Sequence, residues 1–143
     1  MSEGQHTHKE GQRVVIVGAG KLGTALMDCP GLNNGSLRVV AAFDRDPGKQ
    51  GTHGTIPILP VEQLRPFIFD HEITVGVIAL PSHAAQRIAD LMVLGGIRGI
   101  LNFTPTSLRL PKRCLEKQLC LGQELNIFLS LVQTSIRAGK EGN

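Results

Sequence analysis

The sequence predicts an α/β domain built on a doubly wound parallel sheet and followed by a C-terminal helix. Three observations carry this reading. The run Val14-Val15-Ile16-Val17 has no polar alternation, so it reads as a strand buried on both faces. It breaks into Gly18-x-Gly20-x-x-Gly23 and passes directly into Leu22, Ala25, Leu26 and Met27, the apolar positions of a helix. From there to about residue 121, strand-like runs alternate with helix-like ones, the pattern of parallel strands joined by crossover helices.

The elements follow in order. Residues 1–12 are polar, with Gly4 and Gly11, and are expected to form a disordered lead-in in which His6 and His8 are merely solvated. Twelve residues are too few to fold as a DNA-binding domain. The domain proper is expected over 13–121. After the first helix, residues 30–35 read as a loop, and Leu37 to Phe43 as the second strand. Residues 46–51 carry turn chemistry. Thr55-Ile56-Pro57-Ile58 is short and interrupted by proline, so an edge strand is expected. Pro60 at a first helical turn, with Val61, Leu64 and Ile68, predicts a short amphipathic helix. Ile73 to Leu80 is another buried strand. Ser82 is suited to cap the helix that runs through Ala85, Ile88, Ala89 and Met92 to a Gly95-Gly96 stop. Ile97 to Phe103 predicts a further strand, and Cys114 to Leu121 one more. The remainder, 122–143, holds a helix with Leu125, Phe128, Leu129, Val132 and Ile136 near one face. That stripe packs either on its own sheet or against a second subunit.

Strand ends at Gly18, Asp44, Leu80-Pro81 and Asn102-Phe103 are expected to line one crevice at the point where the strand order reverses. The glycines have separable tasks there. Gly18 permits a tight turn, Gly20 lets a pyrophosphate approach the backbone, and Gly23 lets the helix pack close to the strand. Phosphates would rest on the free N–H groups at the helix start, around Lys21 and Leu22. Asp44 follows Gly23 by 21 positions at the end of the second strand, where it can accept from the adenosine ribose hydroxyls. Its charge favours NAD(H) over NADP(H), and Arg45 beside it softens that preference. Leu80 and Pro81 are expected to pack near the cofactor, and Asn102, Phe103 and Thr104 to lie towards its nicotinamide end.

Composition removes several classes. With 41% hydrophobic and 19% charged residues in 143, the chain can bury a real core, yet it is small for a complete dehydrogenase. No run approaches the ~18 apolar residues of a membrane span, and no charged-then-apolar leader opens the chain, which reads as cytoplasmic with no membrane partner. Cys29, Cys114 and Cys120 lack C-x-x-C spacing, so no metal site is indicated and idle thiols are expected. A net charge of +3 with scattered Lys and Arg, and no Trp or Tyr, does not suggest a nucleic-acid binder.

Four stretches, Gly18-Ala-Gly20-Lys-Leu22-Gly23-Thr-Ala25-Leu26, Ala42-Phe43-Asp44-Arg-Asp46-Pro47, Pro81-Ser-His-Ala84-Ala85-Gln86-Arg-Ile-Ala89-Asp90 and Gly96-Ile97-Arg-Gly-Ile100-Leu101-Asn102-Phe103-Thr-Pro105, stand in order. Together they resemble the Rossmann-type nucleotide-binding domain of the Rex redox-sensing transcriptional repressors, within the CoA-binding-like group, over roughly residues 13–111. The resemblance implies a sensor of the NADH/NAD⁺ ratio and a homodimer that exchanges its C-terminal helix. It also implies DNA binding only through an N-terminal winged helix, which this chain lacks. Where the family usually reads Asp-Leu-Thr-x-Glu-Leu, this chain has Cys120-Leu121-Gly122-Gln123-Glu124-Leu125.

Two other readings compete. A small NAD-dependent oxidoreductase would need an acid or base beside the nicotinamide, and His83 would have to serve alone. A CoA-binding module would use the same glycine turn, but Asp44 would repel the 3′-phosphate of CoA. No catalytic residue is therefore expected. The uncharged reduced nicotinamide suits an apolar pocket better than the cationic oxidised one, so NADH is expected to bind more tightly than NAD⁺.

Overall fold

The computed structural model describes residues 11–33 and 35–141, and of Ser82 only the backbone. The expected lead-in, with His6 and His8, thus falls outside the described residues up to position 10. Its expected boundary shifts, because Gly11 is buried and Gln12 already opens the first strand with an N–H bond to the Ser36 carbonyl.

In chain order the regular elements are β1 (Gln12–Val17), α1 (Lys21–Asp28), β2 (Leu37–Phe43), β3 (Gly51–His53) and β4 (Ile56–Leu59). They continue with α2 (Leu64–Asp70), β5 (Val75–Ile78), α3 (Ala85–Gly95), β6 (Gly99–Asn102), β7 (Leu115–Gln118) and α4 (Leu121–Glu141). The sheet order is β3-β4-β2-β1-β5-β6-β7, and every pairing is parallel except β3 with β4. The order reverses between β1 and β5, which makes the C-terminal ends of these two strands the mouth of a crevice.

Three expected elements change. β4 is not an edge strand, because residues 51–53, of which only Gly51 fell in the expected turn, form β3 and cover it. Pro57 is tolerated there since β2 pairs only with Ile58 and Leu59, so no ladder bond to β2 is asked of the proline nitrogen. The helix after Pro60 begins later, at Leu64, behind a 3₁₀ turn over Val61–Gln63. Likewise a 3₁₀ turn spans Ser82–Ala84, so α3 is capped at Ala84 instead of Ser82, whose side chain is outside the described residues. At its other end Gly96 takes φ 117° and closes α3 with N–H bonds to Met92 and Val93, as the Gly-Gly stop predicts.

Core side chains fill both faces of the sheet. On one, Val15, Val17, Ala41, Phe43 and Ile78 meet Leu64 and Ile68 of α2 and Ile88 and Met92 of α3. On the other, Val14, Ile16, Val39 and Ala42 meet Met27 of α1. On that second face Val75, Leu101 and Phe103, towards β5 and β6, stay only partly buried. α4 is longer than its stripe suggests and covers none of this surface. Every described residue along it is exposed, including Leu125, Phe128, Leu129, Val132 and Ile136. Packing on its own sheet is therefore overturned. No helix among the described residues is long and apolar enough to cross a membrane.

Candidate functional site

The glycine turn is held by its neighbours on both sides. Gly18 donates to the Phe43 carbonyl of β2 at 2.8 Å, and its φ of 111° is the left-handed region that glycine enters without strain. A Cβ on Gly18 would stand 2.3 Å from the Ala79 oxygen, and one on Gly23 only 1.7 Å from the Gly18 oxygen. These two glycines are demanded by the fold. Gly20 is not. It caps α1 with ordinary extended dihedrals, and a Cβ there would meet only the Lys49 Nζ, 3.7 Å away. No side chain caps α1 and no acid sits in its first turn, so its positive end is left to an anion.

Asp44 ties this turn to β2. One carboxylate oxygen accepts from the Ala19 N–H and the other from the Asp46 N–H, each at 2.9 Å. The main chain of Asp44 is fixed as well, donating to the Leu59 carbonyl and accepting from the Gln50 side-chain amide. Two bonds leave carboxylate lone pairs free for further donors. Asp46 in turn accepts from the Gly48 N–H and sets the 3₁₀ turn that carries Lys49.

At this mouth lies a cavity of about 260 Å³. Gly18, Asp44, Arg45, Leu80 and Pro81 line it, as does His83. The size suits a nucleoside better than a whole dinucleotide. Gly20 borders it through Lys49, while Lys21 and Leu22 open α1 outside its lining. Sequence reasoning missed Lys49, Val61 and Arg87, which also line the cavity. Arg87 was within reach, because it falls in the first turn of the helix that follows Leu80-Pro81, the strand end expected at the crevice. Lys49 had no such signal, as only the folded 46–50 turn brings its amine over Gly20.

Asn102, Phe103 and Thr104 are not brought to this cavity. Asn102 is fully buried; its amide donates to the Thr106 carbonyl and a Glu116 carboxylate oxygen, and its oxygen accepts from the Thr104 N–H and hydroxyl. Thr104 is buried too, and Gln118 donates to its carbonyl. All four hydrogen-bonding positions of the Asn102 amide are thus used. The expected cofactor contact of Asn102 gives way to a role in holding the loop that follows β6. Asn102→Ala should lose about 1–3 kcal/mol of stability, because the buried Thr104 N–H and hydroxyl lose their acceptor. The check is a urea unfolding midpoint, expected to fall at unchanged slope. Phe103 belongs with the half-buried apolar surface on the second face of the sheet.

The thiols stay apart from this chemistry. Burial pushes the Cys114 thiol above its ordinary range, against the opposing pull of Arg113, so it is protonated at neutral pH. Cys29 is exposed and Cys120 half-buried, and none of the three is in a disulfide.

Comparison with known proteins adds independent findings. The sequence model described as the CoA binding domain matches residues 9–106. The redox-sensing transcriptional repressor Rex of Pelotomaculum thermopropionicum is 37% identical over 128 residues, covering 88% of this chain and 60% of that protein. Rex of Streptomyces coelicolor is 40% identical over 129 residues, covering 90% of this chain and 49% of that protein. The crystal structure of RSP in complex with β-NADH matches with TM-score 0.83 at 26% identity, over 93% of this chain and 64% of that one. The structure of RSP with β-NAD⁺ and operator DNA matches with TM-score 0.80, also at 26% identity, over 93% of this chain and 62% of that one. The chain therefore spans about half to three fifths of the length of these Rex relatives.

Proposed function

This chain belongs to the CoA-binding domain family, and on that premise we propose that it is an NAD(H)-binding, redox-sensing regulatory domain similar to that of the Rex repressors. One observation carries the reading. Gly20 is a glycine the protein's own packing does not need, and it sits where Asp44, the uncapped start of α1 and the Lys49 amine converge. A Cβ there would fill the space a pyrophosphate requires, so the residues present fit the group.

In this reading the pyrophosphate lies over Gly18, Gly20 and Gly23 against the N–H groups of Lys21 and Leu22. The adenosine enters the 260 Å³ cavity with its ribose on Asp44 and with Leu80 and Pro81 beside it. Arg45, Lys49 and Arg87 supply positive charge around it. The nicotinamide end extends towards Phe103, on a surface this subunit leaves partly open. The domain binds its cofactor without turning it over; His83 is exposed on the cavity rim and has no acid or base partner among the described residues. NADH binds more tightly than NAD⁺, since the uncharged reduced ring loses less on entering apolar surroundings.

The apolar stripe of α4 and the half-buried strip Val75-Leu101-Phe103 are two uncovered surfaces on one chain. In a homodimer the helix of each copy would cover apolar surface of the other. The full chain should sediment as a dimer, and truncation at Gly122 should convert it to a monomer; a monomer in both cases would remove this part of the proposal. Any contact with DNA would run through a winged-helix domain outside this chain.

The deciding experiment is calorimetric titration with NADH, NAD⁺, NADPH and CoA separately. Tight NADH, weaker NAD⁺ and silent CoA are expected. Equal affinity for NADH and NAD⁺ would point to an enzyme instead of a sensor. A preference for CoA, favoured by the cations Arg45, Lys49 and Arg87, would replace the dinucleotide reading altogether.

A further inference from the structure

A larger hollow, about 630 Å³, lies at the opposite end of the sheet, beside the N-terminal halves of β1 and β2. It exists because β4 pairs with β2 only at Ala42 and Phe43, leaving the outer edge of Arg38 to Ala41 without a neighbouring strand among the described residues. The backbone is irregular at this point. Val14 pairs with Val39 but Val15 with Ala41, so Val40 is an extra residue, and it lines the hollow. Bulges are rare in parallel pairs and gather next to binding sites.

The charges there are unbalanced. Arg13 and Arg38 both line the hollow and are register partners on adjacent strands, which sends their side chains to the same face. Like charges directly across a strand pair repel. Neither arginine has an ion-pair partner among the described residues. The acid in the lining, Asp28, is bonded at 2.8 Å to His53. On the wall formed by α2, the rings of Phe67 and His71 stack at 4.0 Å with an interplanar angle of 21°. His71 bonds through Nδ1 to the Phe67 carbonyl, leaving Nε2 without a protein partner among the described residues.

We propose that this hollow is a second ligand site, separate from the dinucleotide crevice, for a small phosphate monoester with a planar apolar body. Two arginines at paired positions can turn both guanidinium forks onto the oxygens of one dianion, whose charge relieves their repulsion. The stacked Phe67 and His71 rings, with Val40 and Ile56, take the body of the molecule. The volume lies within the range of small-molecule sites. A nucleic-acid footprint would instead need a stripe of cations along one face, and two arginines in a recess do not make one.

Phenyl phosphate is the probe, added to ¹⁵N-labelled full chain and followed by amide NMR shifts. Saturable shifts at Arg13, Arg38, Val40, Gly54 and His71, with Gly18 to Leu22 unmoved, are expected, and phenol should produce none. Loss of one charge-assisted contact in Arg38→Gln should weaken phenyl phosphate about tenfold or more while leaving NADH affinity within about twofold. Arg13→Gln, made separately, should give the same loss, so that a folding defect in one variant does not decide the matter. Absence of saturation, shifts confined to Gly18 to Leu22, or binding that survives both variants would overturn the assignment.

Discussion

Gly23→Ala is expected to lower the thermal unfolding midpoint by about 10 °C, whereas Gly20→Ala leaves the midpoint nearly unchanged and abolishes tight dinucleotide binding. The two residues are three apart on one turn, so the contrast isolates two different physical demands. At Gly23 the added methyl would lie 1.7 Å from the backbone oxygen of Gly18. A backbone atom held by β1 cannot step aside as a side chain could, and α1 must lift off the sheet. Overpacking of this kind costs about 1–3 kcal/mol and sometimes more. In a domain of this size each kcal/mol moves the midpoint by roughly 3–5 °C.

At Gly20 the methyl meets only a flexible lysine amine at 3.7 Å, and φ of −82° suits any residue. Its effect falls on the ligand alone, since the methyl occupies the approach of the pyrophosphate. A loss of about 100-fold in NADH affinity, read by calorimetry beside a circular-dichroism melt, is the expected result. If Gly20→Ala bound NADH normally, the phosphate position would be wrong; if Gly23→Ala melted normally, the close helix–strand contact would be.

Asp44→Ala is expected to weaken NADH binding about 10- to 100-fold, which corresponds to losing charge-assisted hydrogen bonds of roughly 1.5–3 kcal/mol. Part of that loss comes through the protein itself. The carboxylate holds the Ala19 N–H at 2.9 Å, so its removal also releases the glycine turn from the end of β2. Asp44→Asn separates the two contributions, because its amide oxygen can still accept from Ala19 while the charge is gone. It should fall between wild type and Asp44→Ala. Removing the charge should also narrow the gap between NADH and NADPH, as Arg45 and Lys49 then face the 2′-phosphate with only Asp46 of the lining acids left against them. Unchanged NADH affinity in Asp44→Ala would show that the adenosine lies elsewhere.

The sequence by itself determined what depends on local chemistry and short spacing. The unbroken apolar run of β1, the glycines after it and the acid at the end of β2 are legible because burial on both faces excludes polar residues and a turn with φ of 111° excludes side chains. The Gly95-Gly96 stop was legible for the same reason. What the tertiary structure alone decided are relations between segments distant in the chain. Periodicity cannot say that Gly51 to His53 would pair and make β4 an internal strand, since three exposed or half-exposed residues carry no apolar pattern. Nor can it separate Asn102 as a binding group from Asn102 as a loop anchor. That depended on Glu116, fourteen residues later, arriving on a neighbouring strand. The Lys49 amine over Gly20 and the pairing of Arg13 with Arg38 across β1 and β2 belong to the same class. α4 marks the boundary most plainly: its apolar stripe is visible in the sequence, but a stripe records only that something must cover it, and the fold shows that its own sheet does not.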